Sequence, residues 1–542
     1  MLNVDMCILD CTLRDGGYIN DWKFGSWTIR SVVTRLDRAG IDIIECGFLD
    51  SRVEYNEDRS LYPDMPSIAK TLANSLPTRA MLVAMIDYGT FKRDLLIPKS
   101  ESILDGIRLI FKKENIDEAL DYAQEIKRLG YTLFLNPVAL TSYRDMEILR
   151  LIDRINEIKP FGMSIVDTYG LMFDNDMKKY IYLIDSNLDP DTALGYHTHN
   201  NLQMGNAHCV SFIDWNLRRM KIVDSSILGM GKNAGNACTE LVGSYIEKTG
   251  LKQLDVNHIF ECAYTDILKF AVKSNWGYGL DNLLSAIHDC SPNWIKFFMN
   301  KHTLSIKSIR AILDSLPFEK REVSYFSKEL AEQKYLDYMD KQVDDSKMRE
   351  ALREALMGRE VILLCPGKTL KTHRNEIDEY ISARHPIVIT VNFIADAIPA
   401  DYAFISNSIR YSQMMSMYSE LKNKPQILLT SNIVPVDALK PNYTFNYKTL
   451  YENVRGDNVA SLLITLLKSI GVGSIAIAGM DGFDESNGDE SFFDANMRFD
   501  SSNNSNQLLI EQMRRIVGVA DIHWITPSKI KAALYDNGCI VI

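Results

Sequence analysis

The chain has 542 residues, 46% of them hydrophobic and 24% charged, a globular make-up with room for two or three cores. Its formal net charge of -11 at pH 7 disfavours a broad electrostatic footprint, so neither nucleic acid nor a membrane surface is expected as a partner. Nine scattered cysteines with no CxxC pair read as reduced thiols; with no secretory pattern and no apolar run of roughly 18 residues, the expectation is a cytoplasmic protein.

Short apolar runs recur along the first half, at 6–10, 43–48, 81–86, 106–111, 131–138, 162–166, 193–196 and 222–228. Stretches of helical spacing lie between them, such as IDEALDYAQEIKRL, with apolar positions at 116, 119/120, 123, 126 and 129. Eight strand-helix units in this length point to a (β/α)8 barrel, with a doubly wound open sheet as the competing arrangement. Polar residues stand at the ends of most of these strands: Arg14 and Asp15, Glu45, Asp87, Asn136, Asp167 and Thr168, His197 and His199, and Asp224. Caps and turns use the same residue types, but a barrel carries its active site at that rim.

Three segments carry the chemistry. In LDCTLRDGGY, Arg14 offers a permanently charged fork for a carboxylate or a developing enolate oxygen, with a salt bridge as its structural alternative. Gly16 and Gly17 are expected to give the backbone freedom for a tight turn. In GYHTHNN, His197 and His199 stand in i, i+2 relation, so both imidazoles point one way on extended backbone. In a closed barrel the strand before Asp15 lies close to the histidine strand, and two imidazoles with one carboxylate can hold a divalent ion on one face. LGMGKNAGNACTE is a glycine-rich turn entering a helix expected to begin near Asn236; it lacks the spacing of a nucleotide loop.

TLRDGG, HTHNN and GMGKNAGNACTE, in that order, resemble the metal-dependent pyruvate-type lyase superfamily, over about residues 5–275. The 4-hydroxy-2-oxovalerate aldolase branch matches best. The resemblance implies a TIM barrel in which Asp15, His197 and His199 ligate Mn2+ or Mg2+, with Asn236 a further ligand in some relatives. It also implies that Arg14 steadies the enolate of a 2-oxo acid and that Thr168 helps hold its carboxylate. The aldolases place a histidine base shortly after Arg-Asp-Gly, where this chain has Tyr18. A phenol of pKa about 10 is a poor base at neutral pH, so Tyr18 is a candidate acid or water-orienting group.

Beyond the barrel, 1–275, the reading is a helical extension and linker over 276–358 and a second α/β domain over 359–542. The charge-rich stretch 319–360 reads as solvated helix. Runs at 361–370, 385–392, 401–407, 425–432 and 474–483 suggest a Rossmann-like domain. Pro366-Gly367-Lys368-Thr369 is not a P-loop, because Ile362 stands where the pattern needs glycine. The layout loosely resembles bacterial sialyltransferase-like domains, which implies a nucleotide-sugar or phosphorylated ligand, with His373 and His523 the histidines available. The acidic stretch 481–491 lacks the alternation of a calcium loop.

The resulting expectation is a metal-dependent aldolase or lyase acting through the enolate of pyruvate or another 2-oxo acid, with an aldehyde as the other small-molecule reactant, in carbohydrate or surface-glycan metabolism. A Claisen-type acyl-CoA synthase and a non-catalytic metal-binding sensor are the alternatives, and a homo-oligomer stays open.

Overall fold

The computed structural model describes residues 6–274, 276–301, 304–317, 325–394, 397–435, 441–482, 504–517 and 521–535. The chain forms two compact units: Met1–Ile295 with Pro317–Phe326, and Lys296–Leu316 with Ser327–Ile542.

The first unit is built on eight parallel strands, β1 (Met6–Asp10), β2 (Ile43–Leu49), β3 (Met81–Asp87), β4 (Gly106–Phe111), β5 (Thr132–Pro137), β6 (Gly162–Asp167), β7 (Ala193–Thr198) and β8 (Lys221–Ser225). Each pairs with its neighbour in chain order, and β1 pairs with both β2 and β8, so the sheet closes. The open sheet is thereby excluded. Leu9, Ile43, Val83, Phe134, Ala193 and Ile222 fill the lower barrel as an apolar plug. Strand side chains alternate with period two, so residues two or four places further on enter the layer above: Glu45, Asn136, His197 and Asp224, joined by Arg108 from β4. All five are nine-tenths or more buried. The same alternation therefore makes the bottom of the barrel a core and its top a polar site.

β2 shifts register between Glu45 and Phe48, where Gly47 has φ 145°. A Cβ there would lie 2.0 Å from the Ser60 carbonyl oxygen, so the bulge needs glycine, and the two-residue strand Leu61–Tyr62 pairs just beyond it. Helix Leu280–Ile287 continues the first unit, with Ala286 packed against Ala139, Tyr169 and Leu171.

The second unit has seven parallel strands: β9 (Val361–Leu364), β10 (Ile387–Val391), β11 (Tyr402–Ile405), β12 (Gln426–Thr430), β13 (Tyr443–Phe445), β14 (Ser474–Ala478) and β15 (Asp521–Trp524). Their order is β13-β12-β11-β10-β9-β14-β15. Two strands exceed the five expected: YTF is only three residues between asparagines, and DIHW alternates polar with apolar. The run at 361–370 ends as strand at Leu364, where Pro366-Gly367 turns the chain. In the charge-rich stretch, helices Lys328–Met339 and Ser346–Leu356 bury Ala331, Tyr335, Met339, Leu352 and Leu356, so it is amphipathic rather than solvated. His523 stacks on Tyr380 at 5.8 Å, His373 Nδ1 lies 2.9 Å from Thr372 Oγ1, and His385 is a third histidine of this unit, at a helix C-cap. The acidic stretch lies outside the described residues from 483 onward. No helix among the described residues is long and apolar enough to cross a membrane.

Asp37, buried on helix Ser26–Ala39, accepts hydrogen bonds from the backbone N–H groups of Thr78, Arg79 and Ala80 at 2.8–2.9 Å, fixing the entry to β3. Burial alone would raise its carboxyl, but these three donors hold it below the usual range. Its contribution is therefore present at neutral pH and lost as pH falls through that lowered value. Asp37→Ala is expected to cost about 1–2 kcal/mol, since the Ala80 N–H, which is buried, and the Thr78 and Arg79 N–H groups lose their acceptor. Urea unfolding of the barrel at pH 7 measures this, and the gap from wild type narrows toward pH 3.

Candidate active site

Asp15 ends the short helix Thr12–Asp15 that follows β1, and His197 and His199 lie at the end of β7. All three are buried, and they place one ligand atom each within 4.8 Å of one another. Asp15 Oδ2 lies 3.9 Å from His199 Nε2, and the imidazole centroids are 5.2 Å apart. Asn236 Nδ2 donates to Asp15 Oδ2 at 2.5 Å.

The charged layer below sets these groups in place. Arg14 Nη1 donates to Asp15 Oδ1 at 2.8 Å and its Nε to Glu45 Oε2 at 2.7 Å. Arg108 Nη1 lies 3.1 Å from Glu45 Oε1, while its Nη2 donates to Asp224 Oδ2. Asp224 Oδ2 also lies 3.0 Å from His197 Nδ1. A histidine that gives its Nδ1 proton to a carboxylate keeps the Nε2 lone pair for a ligand. Three carboxylates face two guanidinium groups here, leaving one formal negative charge when the imidazoles are neutral.

Burial and the surrounding charges set the protonation states. Burial lowers His199 to about 4, against the opposing pull of Asp15, so its imidazole is neutral at pH 7. Burial would raise Asp15, but Arg14, the two histidines and the Asn236 amide hold it well below the ordinary carboxylate range. Asp224 is likewise held low by Arg108 and His197 against its burial. Tyr18 moves the other way: desolvation and the Asp15 carboxylate push its phenol up. The Tyr18 residue is 43% exposed, edge-on to Trp22, with Lys232 Nζ 5.4 Å from its ring centroid.

The donors present suit a divalent cation. Two imidazoles and an ionised carboxylate converge, and two buried atoms beside them, His199 Nδ1 and Asn236 Oδ1, have no hydrogen-bond partner. At Gly231 a Cβ would lie 2.4 Å from Asn236 Nδ2 and 2.6 Å from Asp15 Oδ2, so the missing side chain keeps the cradle open.

Other expectations need correcting. Gly16 and Gly17 sit in helical turns, Gly16 at φ -60°, and their conformational freedom is not used; Gly17 is required because the Trp22 ring lies 2.0 Å from where a Cβ would be. The helix after β8 begins at Thr239 rather than near Asn236, because Asn236 forms an antiparallel bridge with His199. Arg14 has its salt bridges inside the barrel, at 5% exposure. Thr168 Oγ1 accepts the Ala139 N–H at 2.8 Å, leaving its own proton to donate. Asp167 accepts the N–H groups of Leu171 and Met172, a turn-forming role. Sequence reasoning misses Arg108; its signal is one charged residue inside the apolar run GIRLIF.

The closed barrel carries a buried Asp-His-His cluster at its C-terminal rim, a candidate metal centre. Residues 5–265 match the HMGL-like family. An oxaloacetate decarboxylase of Mycobacterium tuberculosis is 24% identical over 276 residues, 51% of this chain and 79% of the relative. A 4-hydroxy-2-oxovalerate aldolase of Chloroflexus aurantiacus is 26% identical over 265 residues, 47% of this chain and 74% of the relative. The crystal structure of the N-terminal domain of a putative aldolase from Bacteroides vulgatus covers 56% of this chain and 99% of its own, with 26% identity and a TM-score of 0.49.

Mn2+ at about 100 times its Kd is expected to stabilise the folded barrel by about 2.7 kcal/mol. Thermal melts with and without Mn2+ read the effect, which should vanish in Asp15→Ala and His199→Ala.

Proposed function

We propose that the barrel is a divalent-metal-dependent carbon-carbon lyase, an aldolase acting through the enolate of pyruvate or another 2-oxo acid. The observation that carries this reading is the convergence of Asp15, His197 and His199 on one point, with Arg14 bonded to the same aspartate. Both relatives' names describe chemistry on a 2-oxo acid. Mn2+ or Mg2+ held by Asp15, His197 and His199, with Asn236 Oδ1 as an added donor, would supply Lewis-acid polarisation of the 2-oxo group.

The chain's own residues supply the rest. Arg14 is held from two sides by carboxylates, so its guanidinium is preorganised to stabilise a developing enolate oxygen. Thr168 donates its remaining proton to the substrate carboxylate. Tyr18, raised rather than lowered, serves as a proton donor at the mouth and not as a free base.

The second unit carries the part of the reading that concerns carbohydrate or surface-glycan metabolism. Its strand order reverses between β9 and β14, the position at which parallel α/β sheets take ligands, which supports a nucleotide-sugar or other phosphorylated ligand. At the first turn, Asp481 already accepts from both the Thr369 N–H and hydroxyl, so a phosphate there would have to displace a carboxylate.

Deuterium exchange into the methyl group of pyruvate, followed by NMR with purified protein and Mn2+, tests the chemistry without knowledge of the second reactant. Wild type is expected to exchange, Asp15→Ala to be inert, and Tyr18→Phe to slow by about 100-fold, as for loss of a general acid. An inert wild type that still binds Mn2+ would mean that pyruvate is the wrong 2-oxo acid or that the barrel is a metal-binding sensor, and exchange trials with other 2-oxo acids separate the two. Exchange that appears only with an acyl-CoA would favour the synthase.

A further inference from the structure

Arg108 is almost completely buried at 1% exposure and touches no predicted ligand. Its two terminal nitrogens reach opposite sides of the barrel: Nη1 lies 3.1 Å from Glu45 on β2 and Nη2 donates to Asp224 on β8. Glu45 Oε2 in turn receives Arg14 Nε, and Asp224 Oδ2 faces His197 Nδ1. One guanidinium therefore hydrogen-bonds one of the carboxylates that aim the two halves of the site and ion-pairs with the other.

We propose that Arg108 is a positioning residue that couples the substrate-facing arginine, Arg14, to the metal-facing histidine, His197, through Glu45 and Asp224. The proposal rests on the lyase reading only for the identity of the group that Arg14 meets. A planar fork is needed because the two carboxylates lie on different nitrogens of the same plane; an ammonium is a point charge and cannot hold both in fixed directions. Without that clamp Asp224 is free to turn, and His197 loses the acceptor that keeps its proton on Nδ1. Glu45 then also loses the contact that holds it against Arg14 Nε. Outer partners of this kind typically cost about 10- to 100-fold in metal affinity or activity when removed.

The test uses the full chain and three variants. Arg108→Lys keeps the charge and loses the fork, and Arg108→Met removes both. Arg108→Met with Glu45→Gln removes one charge of each sign, so the buried balance is unchanged and the fold survives if the single variants do not. The first readout is the 15N signature of the His197 imidazole in metal-free protein, the second is Mn2+ affinity by EPR, and thermal melts report folding. Wild type should show a single tautomer protonated at Nδ1. Folded variants should show mixed tautomers and a Mn2+ Kd raised about 10-fold or more. In the two single variants the KM for pyruvate should rise as well, because Arg14 is no longer held by a fixed Glu45.

A folded variant with the wild-type His197 signature and wild-type Mn2+ affinity would overturn the proposal and leave Arg108 a purely structural ion pair. If wild type processes neither pyruvate nor other 2-oxo acids while the variants still shift the tautomer and the Mn2+ Kd, the lyase reading falls and the positioning role stands.

Discussion

The site depends on closure of the sheet. β1 pairs with β8, Leu9 opposite Asp224 and Asp10 opposite Ser225, and with β2 on its other edge. That double pairing brings Asp15, from the turn after the first strand, to within 3.9 Å of His199, from the end of the seventh. In an open sheet the two strands would sit far apart and no single ion could span them. Closure also turns one face of every strand inward, so that a period-two pattern becomes stacked layers, apolar below and charged above. The charged layer is then protected from water on all sides, which is why its geometry is decided by ion pairs and not by solvent.

Such a layer is expensive unless it is internally balanced. Burying one unpaired charge costs several kcal/mol, and removing one partner of a buried pair typically costs 3–5 kcal/mol, roughly as much as a core cavity. Here the carboxylates and guanidinium groups alternate around the barrel, each carboxylate touching at least one cation. The single negative charge left over fits the proposed reading: a divalent cation bound there would turn the local charge positive, as a carboxylate substrate would require.

Much of this was legible in the sequence because strands of a parallel barrel are buried on both faces and read as continuous apolar runs. All eight runs correspond to strands, and the HTH spacing placed His197 and His199 on one side because strand periodicity is short and rigid. Arg108 was not legible. On sequence grounds an arginine inside an apolar run belongs to no pattern, and its meaning comes from Glu45 and Asp224, 63 and 116 residues away, which only the closed barrel unites. Gly16 and Gly17 are opaque for a related reason: glycine next to a charged pair suggests a turn, whereas the constraint is the Thr12 carbonyl at Gly16 and the Trp22 ring at Gly17, whose approach the local sequence does not encode. In the second unit, β13 and β15 escaped notice because a strand of three or four residues at a sheet edge carries too few positions for a period to show.

Gly231 contributes no chemical group, yet no side chain can be added there without moving Asp15 or Asn236. Any side chain would occupy the space beside Asp15 and Asn236 that the donors enclose. A constraint one methyl group in size thus sits beside the candidate site, five residues before Asn236 and more than thirty after His199. A single codon change there would leave Asp15, His197, His199 and Asn236 unaltered in sequence yet push the Asp15 and Asn236 side chains out of the places they now hold.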